Sequence, residues 1–318
     1  MLRVTIDLFS GRPNPTWIIG GQRGNEILDY ISKERQIICK NDSGYQGLGY
    51  RGIQIDTFSD EDYVKIPSSF TIANGTLQDQ RKSIEIAGML IEEMTRYSEI
   101  QLFEHSITPI SREIQKIALE GFSYYEKEIG KIQKLTKQYK KVTKTQGVRV
   151  TKQDTDCQQA CTYEESWFNP SFWNNDINVL RSNNCYNYGR NWKTNTFAQP
   201  GRASGRRAAA MSCPEVTAAA MRDGLHHRCD CLTNDEHPRR LMALVVAPGQ
   251  DYHWYRKLSN GTWGHKPGGT AARNVDNSNV IITDPQNCDR GVGSPLHYTL
   301  DVPVFEILGI IFFDTKIL

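Results

Sequence analysis

No stretch of the 318-residue chain is apolar for long enough to cross a bilayer, which takes about 18 consecutive apolar residues. The longest run, Val302 to Phe313, is interrupted by Pro303, Glu306 and Gly309 and reads as a pair of core strands. A charge bias is missing too. The formal net charge is +2, which gives no general argument for nucleic acid as a partner. The amino-terminal run Met1–Ser10 alternates like a strand and lacks the apolar segment of a secretory signal. The product is therefore expected to be intracellular or exported by a non-standard route.

Gly47, Gly49 and Gly52 precede no helix, so they form no dinucleotide fingerprint, and no cofactor is expected. Asp276 to Asp284 lacks the closing glutamate of a calcium loop and reads as turn chemistry. His226, His227, Cys229, Cys231 and His237 are metal-ligand types. Cys-Asp-Cys is tighter than the pairs a structural zinc site uses, so no metal is expected either.

What is present suggests an α+β chain in three parts. Residues 1–110 read as a small α/β unit: a strand from Arg3 to Phe9, a helix from Gly24 to Glu34, a strand ending at Asp56 and an amphipathic helix from Ser83 to Ser98. Residues 111–145 carry apolar side chains at Ile114, Ile117, Ala118, Phe122, Tyr125, Ile129, Ile132, Leu135, Tyr139 and Val142, a continuous helical stripe. Its other face is basic, with Lys127, Lys131, Lys134, Lys137, Lys140, Lys141 and Lys144. A connecting helix, a homo-oligomerisation helix and a basic arm are all compatible with that pattern.

Residues 146–318 shift to Asn, Trp, Arg, Gly and Cys and read as an α+β domain with an antiparallel sheet. Pro214 to Gly224 is a helix with a start and a stop signal, and Leu241 to Ala247 is a buried-type strand. The strand from Val280 to Thr283 and the closing run from Val302 are expected to complete the sheet. Arg202, Arg206 and Arg207 decorate a loop or bind an anion.

The stretch Asp251 to Thr270 organises this last part. Ser259-Asn260-Gly261 is a hairpin turn between two strand-like runs, and it brings His253 and His265 to one end of neighbouring strands. Upstream, Asn183 and Asn184 are able to cap a short helix that begins at Cys185. A thiol at a helix start facing two imidazoles suggests a cysteine nucleophile. In that reading Cys185 attacks, His253 is the base and His265 orients it, with an amide bond of a peptide-like substrate as the target.

The twelve-residue spacing of His253 and His265 and the run Cys185-Tyr186-Asn187-Tyr188 resemble NlpC-like cell-wall peptidases and CHAP amidases. The resemblance implies a papain-like fold and cysteine-hydrolase chemistry. Separately, Ser10-Gly11-Arg12-Pro13-Asn14-Pro15, Leu48-Gly49-Tyr50-Arg51-Gly52, Phe197-Ala198-Gln199-Pro200-Gly201 and His265-Lys266-Pro267-Gly268 resemble signature runs of a bacterial and fungal family with no assigned activity.

A second reading stays open. Cys185 is then a buried thiol, and Cys157, Cys161, Cys213, Cys229, Cys231 and Cys288 are candidate disulfide crosslinks of a non-enzymatic, self-assembling structural protein with protein partners.

Overall fold

The structure, a computed structural model, describes residues 1–39, 44–58, 66–97, 110–138, 150–154, 161–227, 240–291 and 311–313. The fold is α+β with antiparallel sheets, in two compact units. Among the described residues no helix is long and apolar enough to cross a membrane.

The first unit comprises residues 1–9, 13–139 and 291–295. Its strands β1 (Leu2–Asp7) and β2 (Thr16–Ile19) are followed by helix α1 (Gly21–Lys33), strands β3 (Gly52–Thr57) and β4 (Ser69–Ile72), and helices α2 (Arg81–Glu93), α3 (Arg112–Lys127) and α4 (Ile129–Gln138). The strands form one antiparallel sheet in the order β2-β1-β3-β4. The alternation along β1 buries Leu2, Val4 and Ile6 completely.

The stripe expected as one continuous helix is two helices, because the chain leaves helical geometry at Glu128. Ile114, Ala118, Phe122, Tyr125 and Ile132 all enter the core of this unit. The apolar face is thus consumed internally, and Lys127, Lys131, Lys134 and Lys137 remain exposed. Tyr139, Lys140, Lys141, Val142 and Lys144 lie outside the described residues.

The second unit comprises residues 10–12, 140–290 and 296–318. It contains β5 (Val150–Asp154), β6 (Cys161–Glu165), α5 (Ser171–Asn174), α6 (Ile177–Ser182), α7 (Cys185–Arg190), α8 (Cys213–Arg222), β7 (Leu225–His227), β8 (Met242–Ala247), β9 (Asp251–Lys257), β10 (Trp263–His265) and β11 (Ile311–Phe313). Five strands form a sheet in the order β10-β9-β8-β11-β7, and β5 pairs with β6.

Every residue of β8 is buried, as its unbroken apolar run requires. Met242, Leu244, Val246, Tyr252 and Trp254 pack with Cys185 and Tyr186 of α7 and with Val216 and Ala220 of α8. Ile281 makes only an isolated bridge to Val275, so Val280 to Thr283 is not the sheet strand expected. Of the run Val302 to Phe313, only the three residues of β11 are described.

Candidate functional site

Cys185 is placed by two asparagines. Asn184 Oδ1 accepts from the backbone N–H groups of Tyr186 (3.1 Å) and Asn187 (3.2 Å), while Asn187 Oδ1 accepts from Asn184 N–H (3.1 Å). This reciprocal box starts α7 at Cys185. Asn184 Nδ2 donates to the carbonyls of Gly11 and Ala198, both at 2.8 Å. Just upstream, the buried Lys266 ammonium donates to the carbonyls of Leu180, Asn183 and Gly268. That contact satisfies carbonyls at the end of α6.

Gly189 lies inside α7. It lets the helix lie on the sheet, since a Cβ there would fall 2.1 Å from Met242 Cε. The helix stops at Asn191, in the left-handed conformation (φ 56°).

The hairpin forms as expected, with Gly261 at φ 81° and Leu258 N–H donating to Thr262 O at 2.9 Å. His265 pairs with Tyr255 across the strands. His253, two residues along β9, is its diagonal neighbour on the same face. Strand β9 begins at Asp251, so His253 is its third residue. The two rings stand nearly perpendicular, at 88°, with His253 Nε2 2.8 Å from His265 Nδ1. His265 Nε2 lies 2.9 Å from Val275 O.

Burial, reinforced by the charge of Arg273, pushes the His265 pKa down to about 3, against a weaker upward pull from the Val275 carbonyl. His265 is therefore neutral near pH 7. The carbonyl can only accept, so the single ring proton of His265 sits on Nε2 and its Nδ1 is an acceptor. His253 Nε2 must then donate. In a neutral His253 this leaves Nδ1 as the nitrogen without a hydrogen.

The Cys185 thiol accepts from the backbone N–H of Trp254, the residue after His253, as well as from Tyr186 and its own amide. Those amides favour the thiolate. Complete burial, with the charge of Asp251, outweighs them and holds the thiol pKa well above its ordinary value. Cys185 packs on the face of β9 that carries Tyr252 and Trp254, whereas His253 and His265 lie on the opposite face, so the structure does not bring the thiol against the imidazoles; all three are essentially unexposed. At rest the thiol is protonated and His265 is uncharged.

Asp251 was not singled out in the sequence. Its buried carboxylate accepts from Ser10 N–H (2.7 Å), Ser10 Oγ (2.9 Å), Gly11 N–H (3.1 Å) and Arg12 N–H (3.2 Å). The four signature runs are the parts of such clamps. Gln199 Nε2 donates to Gly11 O (2.8 Å), and Tyr252 Oη donates to Gln199 Oε1 (3.2 Å). Gly201 N–H donates to Asp223 Oδ2 at 2.7 Å. In the first unit, Asp7 Oδ1 accepts from both Asn14 Nδ2 (2.9 Å) and Arg51 (2.6 Å). The only forward signal was the density of Gly, Asn and Pro in those runs.

The remaining candidates fare differently. Cys213 and Cys288 were candidate disulfide halves. Both carry thiols, as do Cys39 and Cys185. Cys288 Sγ is hydrogen-bonded to Tyr255 Oη and Pro285 O at 3.5 Å, contacts a bonded sulfur would not donate. Cys157, Cys229 and Cys231 lie outside the described residues, and Cys161 opens β6.

His226 and His227 are on β7, and His237 lies outside the described residues. Among the described residues no three His, Cys, Asp or Glu side chains are grouped to hold a metal. The loop of Arg202, Arg206 and Arg207 is cross-tied: Arg206 N–H donates to Gly201 O (2.8 Å), and Arg222 donates to the Arg206 carbonyl.

Fold and site together define an α+β protein with a buried thiol and a histidine pair at a sheet edge. Over 133 residues the chain is 50% identical to insoluble matrix shell protein 1 of Ruditapes philippinarum, which covers 42% of this chain and 87% of that protein. The chain belongs to the family of that shell protein. No protein-family model and no solved structure matches it.

Proposed function

We propose that this chain is a non-enzymatic structural protein that assembles into an insoluble protein matrix. The observation that carries the reading is the 50% identity spanning 87% of insoluble matrix shell protein 1. The buried, protonated Cys185 thiol supports it, since such a thiol is a poor nucleophile. The exposed row Lys127, Lys131, Lys134 and Lys137 is a surface through which copies or acidic partners pack.

Sedimentation of the purified full chain over a concentration series tests this. A pelletable fraction that grows with concentration is expected, reduced when Lys131 and Lys134 are changed to Glu. A chain that stays monomeric at every concentration would sink the reading.

One observation favours a second reading, a cysteine hydrolase of amide bonds. The backbone amide of Trp254 donates to the Cys185 thiol at the start of α7, a contact that favours the thiolate. In this reading the thiolate attacks the carbonyl carbon, the C–N bond breaks with the thiol proton passing to the leaving amine, and water then releases the acyl group from sulfur. Turnover of peptide amide substrates that Cys185→Ala abolishes without lowering the melting temperature is the outcome it requires. Equal turnover by wild type and Cys185→Ala excludes it.

A further inference from the structure

We propose that Trp192 and the arginine loop 201–207 of the second unit form a binding surface for single-stranded nucleic acid. Trp192 is its stacking platform and the loop is its phosphate contact.

The near-neutral total charge conceals a local excess. Over residues 183–224 the chain carries six cations, Arg190, Lys193, Arg202, Arg206, Arg207 and Arg222, against two carboxylates, Glu215 and Asp223. Both carboxylates are engaged by backbone. Asp223 accepts from Gly201 N–H (2.7 Å) and Ser204 N–H (3.1 Å), and Glu215 accepts from Ala209 N–H (3.3 Å). Arg202 donates to Thr196 O (3.4 Å) and Arg222 to the carbonyls of Arg206 and Arg207, so neither meets a carboxylate among the described residues. Arg202, Arg206 and Arg207 are exposed.

The backbone that presents them is fixed. Arg206 N–H donates to Gly201 O (2.8 Å) and Gly205 N–H to Arg202 O (3.1 Å). A Cβ on Gly201 would fall 2.0 Å from Arg206 O. Guanidinium groups on such a loop grip phosphate oxygens without the cost of ordering the chain first.

The same surface carries an exposed ring. Trp192 is 39% exposed, yet Asn187 holds its backbone on both sides. Trp192 N–H donates to Asn187 O, and Asn187 Nδ2 donates to Trp192 O, both at 3.0 Å. The Arg190 guanidinium lies over the Trp192 ring, 5.2 Å from its centroid, and donates to Asp223 O (3.3 Å). Asp223 therefore joins the tryptophan to the arginine loop. A fixed, exposed indole beside guanidinium groups suits a single strand, whose bases stack while its phosphates pair with the cations. A polyanion recognised by charge alone would leave the indole unused.

The test is fluorescence anisotropy of a fluorescein-labelled oligothymidine strand titrated with the full chain. Binding is expected to weaken about tenfold for a roughly threefold rise in salt, as the release of counterions from about three phosphates requires. Changing Arg206 and Arg207 together to Gln should lower the affinity about tenfold and flatten that salt dependence. Trp192→Ala should lower it by about as much with the salt dependence unchanged, and Trp192→Phe, which keeps a ring, should recover most of the loss.

No binding at low salt overturns the proposal, and so does an unchanged affinity in folded Trp192→Ala. Heparin or polyglutamate competing as tightly as oligothymidine also overturns it, because the surface then takes polyanions without bases. If Trp192→Ala does not fold, the arginine pair and that competition decide.

Discussion

At the residue scale, His265 shows what burial does to a titratable group. Its pKa is about 3 in the folded chain against an ordinary 6.5, so the unfolded chain binds the extra proton between those values. A base with a depressed folded pKa contributes full stability above pH 6.5, and that stability is lost as the pH falls towards 3. Urea denaturation of His265→Gln should show a shallower decline between pH 6 and 4 than the wild type, by up to about 1.4 kcal/mol per pH unit. Identical slopes would mean that His265 is charged when folded, and the tautomer assignment of the pair would fall with it. The presence of both histidines on one hairpin was legible in the sequence through Asn260-Gly261. Their protonation was not, because it depends on Arg273 and Val275, brought against them by the return of the chain.

At the scale of elements, α7 is six residues long and has little stability of its own. It persists because both ends are capped and one face is pressed onto β9 and β10. The closest approach is at Gly264, where a Cβ would meet Tyr188 Oη at 2.1 Å and Cζ at 3.1 Å. Tyr188 is buried, with the Arg256 guanidinium 4.4 Å from its ring centroid and interacting with its hydroxyl. Gly264→Ala is therefore expected to cost about 1–3 kcal/mol through overpacking. Tyr188→Phe should cost about 1 kcal/mol or less, the worth of the hydroxyl's contact with Arg256. Combining them should recover much of the loss, since the colliding oxygen is gone. Additive losses in a double-mutant cycle would show that α7 meets the hairpin elsewhere. Asn183 and Asn184 announced the start of this helix. Gly189 gives no such local signal, because a glycine chosen for close approach is indistinguishable in sequence from one that breaks a helix.

At the scale of the whole molecule, each unit closes its own core. The helical stripe from Ile114 to Ile132 is spent inside the first unit, which leaves charge rather than apolar surface on the outer face of α3 and α4. Any assembly through that face should therefore weaken with added salt, as contacts between exposed charges do. The second unit buries its sheet and puts its polar side chains into clamps, among them Lys266 on α6, Asp251 on Ser10–Arg12 and Asp223 on Gly201 and Ser204. Such satisfied networks specify one arrangement of loops. They suit a protein whose loops must hold shape in a matrix.

The sequence by itself determined whatever depends on neighbours within a turn or two: the alternation of β1, the buried run of β8, the Asn-Gly hairpin and the asparagine cap of α7. Each follows from periodicity or from a side chain bonding its own backbone. Only the tertiary structure decided that Ser10–Arg12, Asn184, Gln199 and Asp251 meet, and that the Cys185 thiol is buried and protonated. Those contacts join residues up to 241 positions apart. Which donor reaches which carboxylate across such a distance is set by how the sheet and helices pack, which no local pattern of residues encodes.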